Sequence, residues 1–435
     1  MRKKLLALIM AGIATFSLIS CSGSNTSTSG GNQGANADNG GKKKITVWAW
    51  DPNFNIAIMN EAKARYESEN TDVEIEVVDF AKPDLEQKLH TNLAAGNTAD
   101  LPEIVLIEDY NAQKFLQGYP QAFEDLTGKI PHSDFAKYRL DIMTIDNKTY
   151  GVPFDSGVGG LYYRKDIMEE AGVKPEDLVN ITWDRFIEIG KTVKEKTGKG
   201  LIALDPNDLG VLRMMLQSSG EWYFDESGKP NFVNNETVKE AFTVLKEMFE
   251  SGIVNLAPGW NAGLKEINGG TVAAAVTGVW YTASITQEAS QSGLWGVAPV
   301  PKLNDGKSVN ATNYGGSSWY VLSGSENKDA AVDFLSTMYT DTDFYQAILE
   351  NNGAVASYVP SMEGEAYTKE QEFFGGQPIY EDFAKWMQEV PAVNYGMYTY
   401  EAEAVIVAEF QEILNGKSID DALQSIQTQV EMQIQ

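Results

Sequence analysis

The sequence predicts an α/β fold, and three observations predict it. Between residues 44 and 107, strand-like and helix-like segments alternate in the order β-α-β-α-β, the pattern of an α/β layer. Residues 104–107, Ile-Val-Leu-Ile, are short and wholly apolar, as in a parallel strand buried on both faces. A second alternation of strands and helices begins near Tyr150.

The elements follow in order. Residues 44–50 are β-branched and aromatic, and Asp51-Pro52-Asn53 ends them in a turn. Ile56, Met59, Ala62 and Tyr66 share one stripe, which predicts a helix over 55–70. Residues 73–78 alternate as a second strand. A helix is expected over 84–95, stopped by Gly96-Asn97. Strand 104–107 runs into the turn 108–111. From Asp155, a glycine-rich stretch leads into a strand at 161–164. Helices are expected over 183–196, capped by Thr182, and over 209–218 and 235–251. Strands are expected over 271–276, 294–300 and 318–322, and a helix over 328–340. The last third reads as mostly helical, notably 400–415 and 418–433. No repeat of solenoid period is present.

The N-terminus does not read as part of this fold. Arg2, Lys3 and Lys4 precede an apolar run at 5–19, the length of a signal-peptide core and too short for an ordinary membrane span. The run ends in Leu18-Ile19-Ser20-Cys21, which resembles a bacterial lipobox. That resemblance implies cleavage after residue 20 and lipidation of Cys21. Residues 22–41 hold hardly an apolar side chain, so 21–41 is expected to be a flexible tether. The mature body is then expected outside the cytoplasm, anchored by lipid to the cell membrane.

Composition excludes several classes of function. The 435 residues, at about 150 per domain, predict two or three domains. One cysteine allows no internal disulfide and no cysteine-based zinc or iron–sulfur site. The two histidines lie far apart in sequence, so no metal and no cofactor is expected. Lys and Arg number 34 against 61 Asp and Glu, a net charge of -27 that repels nucleic acid. Gly306-Lys307-Ser308 and Gly416-Lys417-Ser418 lack the earlier glycine of a phosphate loop. Asp51-Pro52-Asn53 opens like a calcium loop, but Ile56 replaces its glycine and Ala62 its glutamate.

Five stretches, in order, resemble the carbohydrate-binding branch of the extracellular solute-binding lipoproteins of bacterial ABC importers, which includes maltose-binding protein. They are YGVPFDSGVGGLYYRKDIMEEAG at 150–172, TWDRF at 182–186, GGTVAAAVTGVW at 269–280, WGVAPVPK at 295–302 and NYGGSSWY at 313–320. The resemblance covers nearly all of the chain from residue 44. It implies a two-lobed, type II periplasmic-binding-protein fold, each lobe a mixed sheet flanked by helices, with the ligand cleft between lobes. The crossings are expected near residues 153–155, 294–297 and 340. That gives one lobe of 42–154 plus 296–340 and a second of 155–295 plus 341–435.

A sugar offers CH-rich ring faces that stack on aromatic planes, and hydroxyls that need carboxylates and amides. The chain has 9 Trp and 19 Tyr, many at predicted strand ends. By position and resemblance the candidate ligand residues are Trp50, Asp51 and Asn53 after the first strand, and Asp109 and Tyr110 after the third. Asp155 stands at the first crossing. Asp208, Trp260 and Trp280 belong to the second lobe, Trp280 at the family's Gly-x-Trp position. Tyr314, Gly316, Ser317 and Trp319 lie in the glycine-paired segment, where backbone N–H groups could approach a ligand. Tyr395 and Tyr398 precede the penultimate helix.

The resemblance implies a non-enzymatic, monomeric receptor for a mono- or oligosaccharide, with an ABC permease and its ATPase as partners. Three alternatives stay open on the residues alone: the same fold holding an amine or peptide, a surface glycosidase built on a carboxylate pair, or an adhesin or scaffold with no small ligand.

Overall fold

The computed structural model describes residues 41–434. The expected signal segment, Cys21 and the tether up to residue 40 lie outside the described residues. Among the described residues, no helix is long and apolar enough to cross a membrane.

Twelve strands form among them: β1 Lys43–Ala49, β2 Val73–Asp79, β3 Ile104–Glu108, β4 Thr144–Ile145, β5 Lys148–Thr149, β6 Gly151–Pro153, β7 Gly159–Arg164, β8 Ile202–Leu204, β9 Val254–Leu256, β10 Ala274–Gly278, β11 Trp295–Ala298 and β12 Ser317–Val321. The first sheet has the order β2-β1-β3-β12-β6. Its β1, β2 and β3 are parallel, with Val47 opposite both Val77 and Ile104. Strand β12 runs antiparallel between β3 and β6, so Trp319 faces Leu106 on one side and Val152 on the other. The second sheet, β10-β7-β11, is antiparallel, with Tyr162 between Ala275 and Val297. The β4–β5 hairpin turns on Asp146 and Asn147, both at positive φ, as a two-residue turn of this kind requires.

Side-chain alternation sends the two faces of the first sheet into different cores. Ile45, Val47, Ile104, Leu106, Trp319 and Val321 enter a core shared with the helices Asn55–Glu69, Lys328–Met338 and Thr342–Asn352. Trp48, Val105, Ile107 and Tyr320 enter a larger core that continues into the second sheet's region through Tyr110, Leu161 and Trp222. The β-α-β-α-β order expected for the first 65 residues is present, and Ile104–Ile107 is buried along its whole length.

The chain passes between the two sheets at 154–158, 311–316 and 353–358. The second and third passages lie later than expected. Trp295–Ala298 pairs with β7, which keeps it in the second sheet. Phe344, Tyr345 and Ile348 pack in the first sheet's core, which keeps the helix after Thr340 there. The passages are stitched to one another. Ser156 N donates to Val355 O at 2.8 Å, Tyr314 N to Gly157 O at 2.7 Å, and Ser357 Oγ to Asp155 O at 2.6 Å. The Asn313 side-chain oxygen accepts from Gly157 N and from the Tyr138 hydroxyl, both at 3.1 Å.

Candidate functional site

One cavity of about 290 Å³ gathers four of the expected residues: Asp208, Trp260, Trp280 and Tyr314. Trp280 follows β10 in a short 3-10 turn, Val279–Tyr281. Its indole N–H donates to Tyr314 O at 2.8 Å, which ties it to the second passage. A Cβ at residue 278 would collide with this folded-back indole, so the Gly-x-Trp pattern is a steric requirement. Trp280 stacks on Trp260 with ring centres 5.9 Å apart and planes 26° from parallel. Tyr281 meets Trp260 edge-on at 4.9 Å, and the Tyr314 ring lies 5.7 Å from that of Trp280. Trp260 is 53% exposed and starts the helix Trp260–Asn268. Asp205 fixes that start by accepting from Gly259 N at 2.7 Å.

Asp208 supplies the polar wall. It accepts from Gly210 N at 2.8 Å and lies 3.4 Å from the Tyr314 hydroxyl. Burial, then the nearby Asp208 charge, hold the Tyr314 phenol well above its ordinary pKa, so it remains a neutral hydrogen-bonding group. Stacked rings beside a carboxylate and a phenol match the two surfaces of a sugar.

From this cavity a line of cations and rings leads to Trp50. The Arg213 guanidinium lies 6.0 Å from the Tyr314 ring, 5.5 Å from Tyr400 and 4.7 Å from Tyr110. Lys82 lies 5.2 Å from the Tyr400 ring and 6.0 Å from Trp50, which is half-buried. Glu403 grips Arg213 through both carboxylate oxygens, and Tyr223 donates to the same carboxylate at 3.1 Å. Sequence reasoning missed Arg213, Lys82, Tyr400 and Glu403. A signal for Arg213 did exist: it is the only charge in the helix Gly210–Ser218.

Other expected ligand residues sit elsewhere. Asp109 is fully buried, paired with the equally buried Arg139 at 2.7 Å and with the Ser318 hydroxyl at 3.2 Å. Burial pushes its carboxyl upward against the pull of Arg139. Arg139 also donates to Ser317 O at 2.7 Å, so Ser317 offers its carbonyl to the protein. A Cβ at Gly316 would strike the Arg139 guanidinium; this glycine makes room for an ion pair, where a ligand's approach had been expected. Asp155 is buried and accepts from Ser317 N at 2.8 Å, which makes it a brace of the passages. Trp319 is enclosed between Phe154 and Tyr339. Tyr395 is buried, bonded through its hydroxyl to Gln217 at 2.8 Å. Tyr110 is buried against Trp222, and its hydroxyl accepts from Gly315 N at 3.1 Å. Asp51 is exposed at φ 64 and accepts from Asn53 N and Phe54 N, so it shapes the turn before a helix. Asn53 is exposed, and Tyr398 is half-buried against the larger core.

Residues 61–374 match the family model described as bacterial extracellular solute-binding protein. The chain belongs to that family. Among such solute-binding proteins it is 50% identical, over 393 residues, to a lactose-binding protein of Rhizobium radiobacter, covering 90% of this chain and 93% of the relative. It is 25% identical over 369 residues to an arabinooligosaccharide-binding protein of Halalkalibacterium halodurans, covering 82% of each. The fold matches that of the sugar-binding protein MalE from Xanthomonas citri with a TM-score of 0.77 at 18% identity, over 90% of this chain and 97% of that one. The solute-binding fold is thus two-lobed, with its cleft between the lobes, as expected.

Proposed function

We propose that this solute-binding protein is the receptor of an ABC importer for a small oligosaccharide of lactose's size. The observation that carries the reading is the convergence of Trp260, Trp280, Tyr314 and Asp208 on one cavity. Half-identity to a relative named as lactose-binding supports lactose as the first ligand to try. A micromolar complex needs about 8 kcal/mol, and one or two sugar rings stacked and hydrogen-bonded in an enclosed cleft supply energies of that order.

In this reading each lobe follows one sheet, and the lobes rotate about the passages at 154–158, 311–316 and 353–358. Closure is a population shift, because a ligand that touches both lobes favours the state in which both are near. Trp50, Lys82 and Arg213 belong to the cleft beside the four cavity residues. The lipobox supports an anchor at Cys21 on the extracytoplasmic face, with delivery by a monomer to a permease driven by its ATPase. No covalent step is required of the receptor.

Calorimetric titration of the purified protein with lactose, maltose and arabino-oligosaccharides tests the reading. Binding of lactose, with the sugar recovered unchanged, is expected. No heat with any sugar, or release of monosaccharide, overturns it.

A further inference from the structure

Tyr110 is the second residue of the helix Asp109–Gly118, which follows directly on β3 of the first sheet. Its ring enters a box of side chains that the proposed lobe division assigns to the other lobe. Trp222 stacks on it at 5.6 Å and 13°, Tyr395 meets it edge-on at 4.7 Å, and Tyr400 stands perpendicular at 6.4 Å. Arg213 covers it at 4.7 Å. The contact continues along the start of the helix Thr399–Leu414. The Tyr400 hydroxyl donates to Glu108, Lys82 reaches the same hydroxyl at 3.3 Å, and Lys114 pairs with Glu401 of the helix Thr399–Leu414. Every group in this set belongs to the protein, and under the proposed lobe division the pairs join one lobe to the other.

We infer that Tyr110 is a positioning residue for solute capture, the centre of a clasp that closes the lobes through protein contacts alone. The inference rests on the reading that the two lobes close on a ligand. Each contact exists only when the lobes are near, so the clasp raises the population of the closed form before a sugar arrives. The apparent dissociation constant then falls in inverse proportion to that population. Tyr110 therefore changes affinity without touching the sugar. Stacked rings and a desolvated cation each contribute about two- to tenfold, so loss of the whole box contact predicts roughly tenfold weaker binding, chiefly through faster release.

The test measures the free protein as well as the complex. Spin labels at Ala64→Cys and Thr243→Cys, both exposed, report lobe separation in a Cys21→Ser background. The free protein is expected to populate the separation seen with saturating lactose. Tyr110→Ala is expected to deplete that population and weaken lactose binding about tenfold, while Tyr110→Phe stays within about threefold. Lys114→Glu, at a partly exposed pair, is expected to shift the distribution the same way, and Lys114→Glu with Glu401→Lys to restore it. Unchanged separations in free Tyr110→Ala and Lys114→Glu overturn the inference. Weaker binding with unchanged separations also overturns it, because Tyr110 would then act on the sugar directly. The free-protein distances are read without any ligand, so a wrong sugar assignment fails separately.

Discussion

The Asp109 carboxylate lies 2.7 Å from the Arg139 guanidinium, and neither side chain reaches solvent. Two buried charges tolerate joint replacement far better than the loss of one. Arg139→Met is expected to cost about 3–5 kcal/mol, because Asp109 is left buried without its partner. Asp109→Leu with Arg139→Met is expected to recover much of that loss. Chemical denaturation of the three proteins checks the order.

Gly316 abuts the same pair at φ 99, a conformation that side chains rarely adopt. Gly316→Ala combines backbone strain with displacement of Arg139 and is expected to destabilise by about 1–3 kcal/mol. Gly306→Ala, at φ 78 with open space around it, isolates the backbone part. A smaller loss at 306 than at 316 in thermal unfolding is the expected result.

Trp280 and Trp260 differ in support. Trp280 is held by Tyr314 and flanked by three rings, whereas Trp260 is half exposed. Trp280→Ala is expected to weaken sugar binding by at least about tenfold, or 1.4 kcal/mol, and Trp260→Ala by less. Calorimetry on both variants distinguishes this order from its reverse.

His132 donates through Nε2 to Gly151 O at 3.0 Å, and partial burial holds its pKa below the ordinary value. The unfolded chain therefore takes up this proton first as pH falls. The stability contributed by neutral His132 is present above about pH 6.5 and is lost as pH drops through 6.5 toward the folded value. The drop in denaturation midpoint between pH 7 and 5.5 is expected to shrink in His132→Gln.

Alternation and periodicity made most elements legible, since β1 to β3 and their helices carry their own hydrophobic pattern. The cavity's rings were legible for a related reason: Trp280 follows a short apolar strand and cannot be part of its alternation. Trp319 was not legible, because both faces of β12 are buried and parity gives no outward side. Asp109 misled for another reason. An acid in the first turn of a helix usually faces water, and nothing local shows that Arg139, on the helix Lys137–Met143, comes back to meet it. Arg213 and Glu403 are far apart in sequence, so their pairing exists only once the helices pack.

Strand β12 is inserted between β3 and β6, although β6 ends at Pro153 and β12 begins at Ser317. A nascent chain that has not yet reached Val321 cannot complete the first sheet, whatever its own sequence favours. The order of synthesis thus delays completion of the first sheet until all three strands of the second have emerged, and the pairing that finishes it closes a very long loop. A protein destined for export gains from such slowness, since a chain that cannot fold early stays threadable.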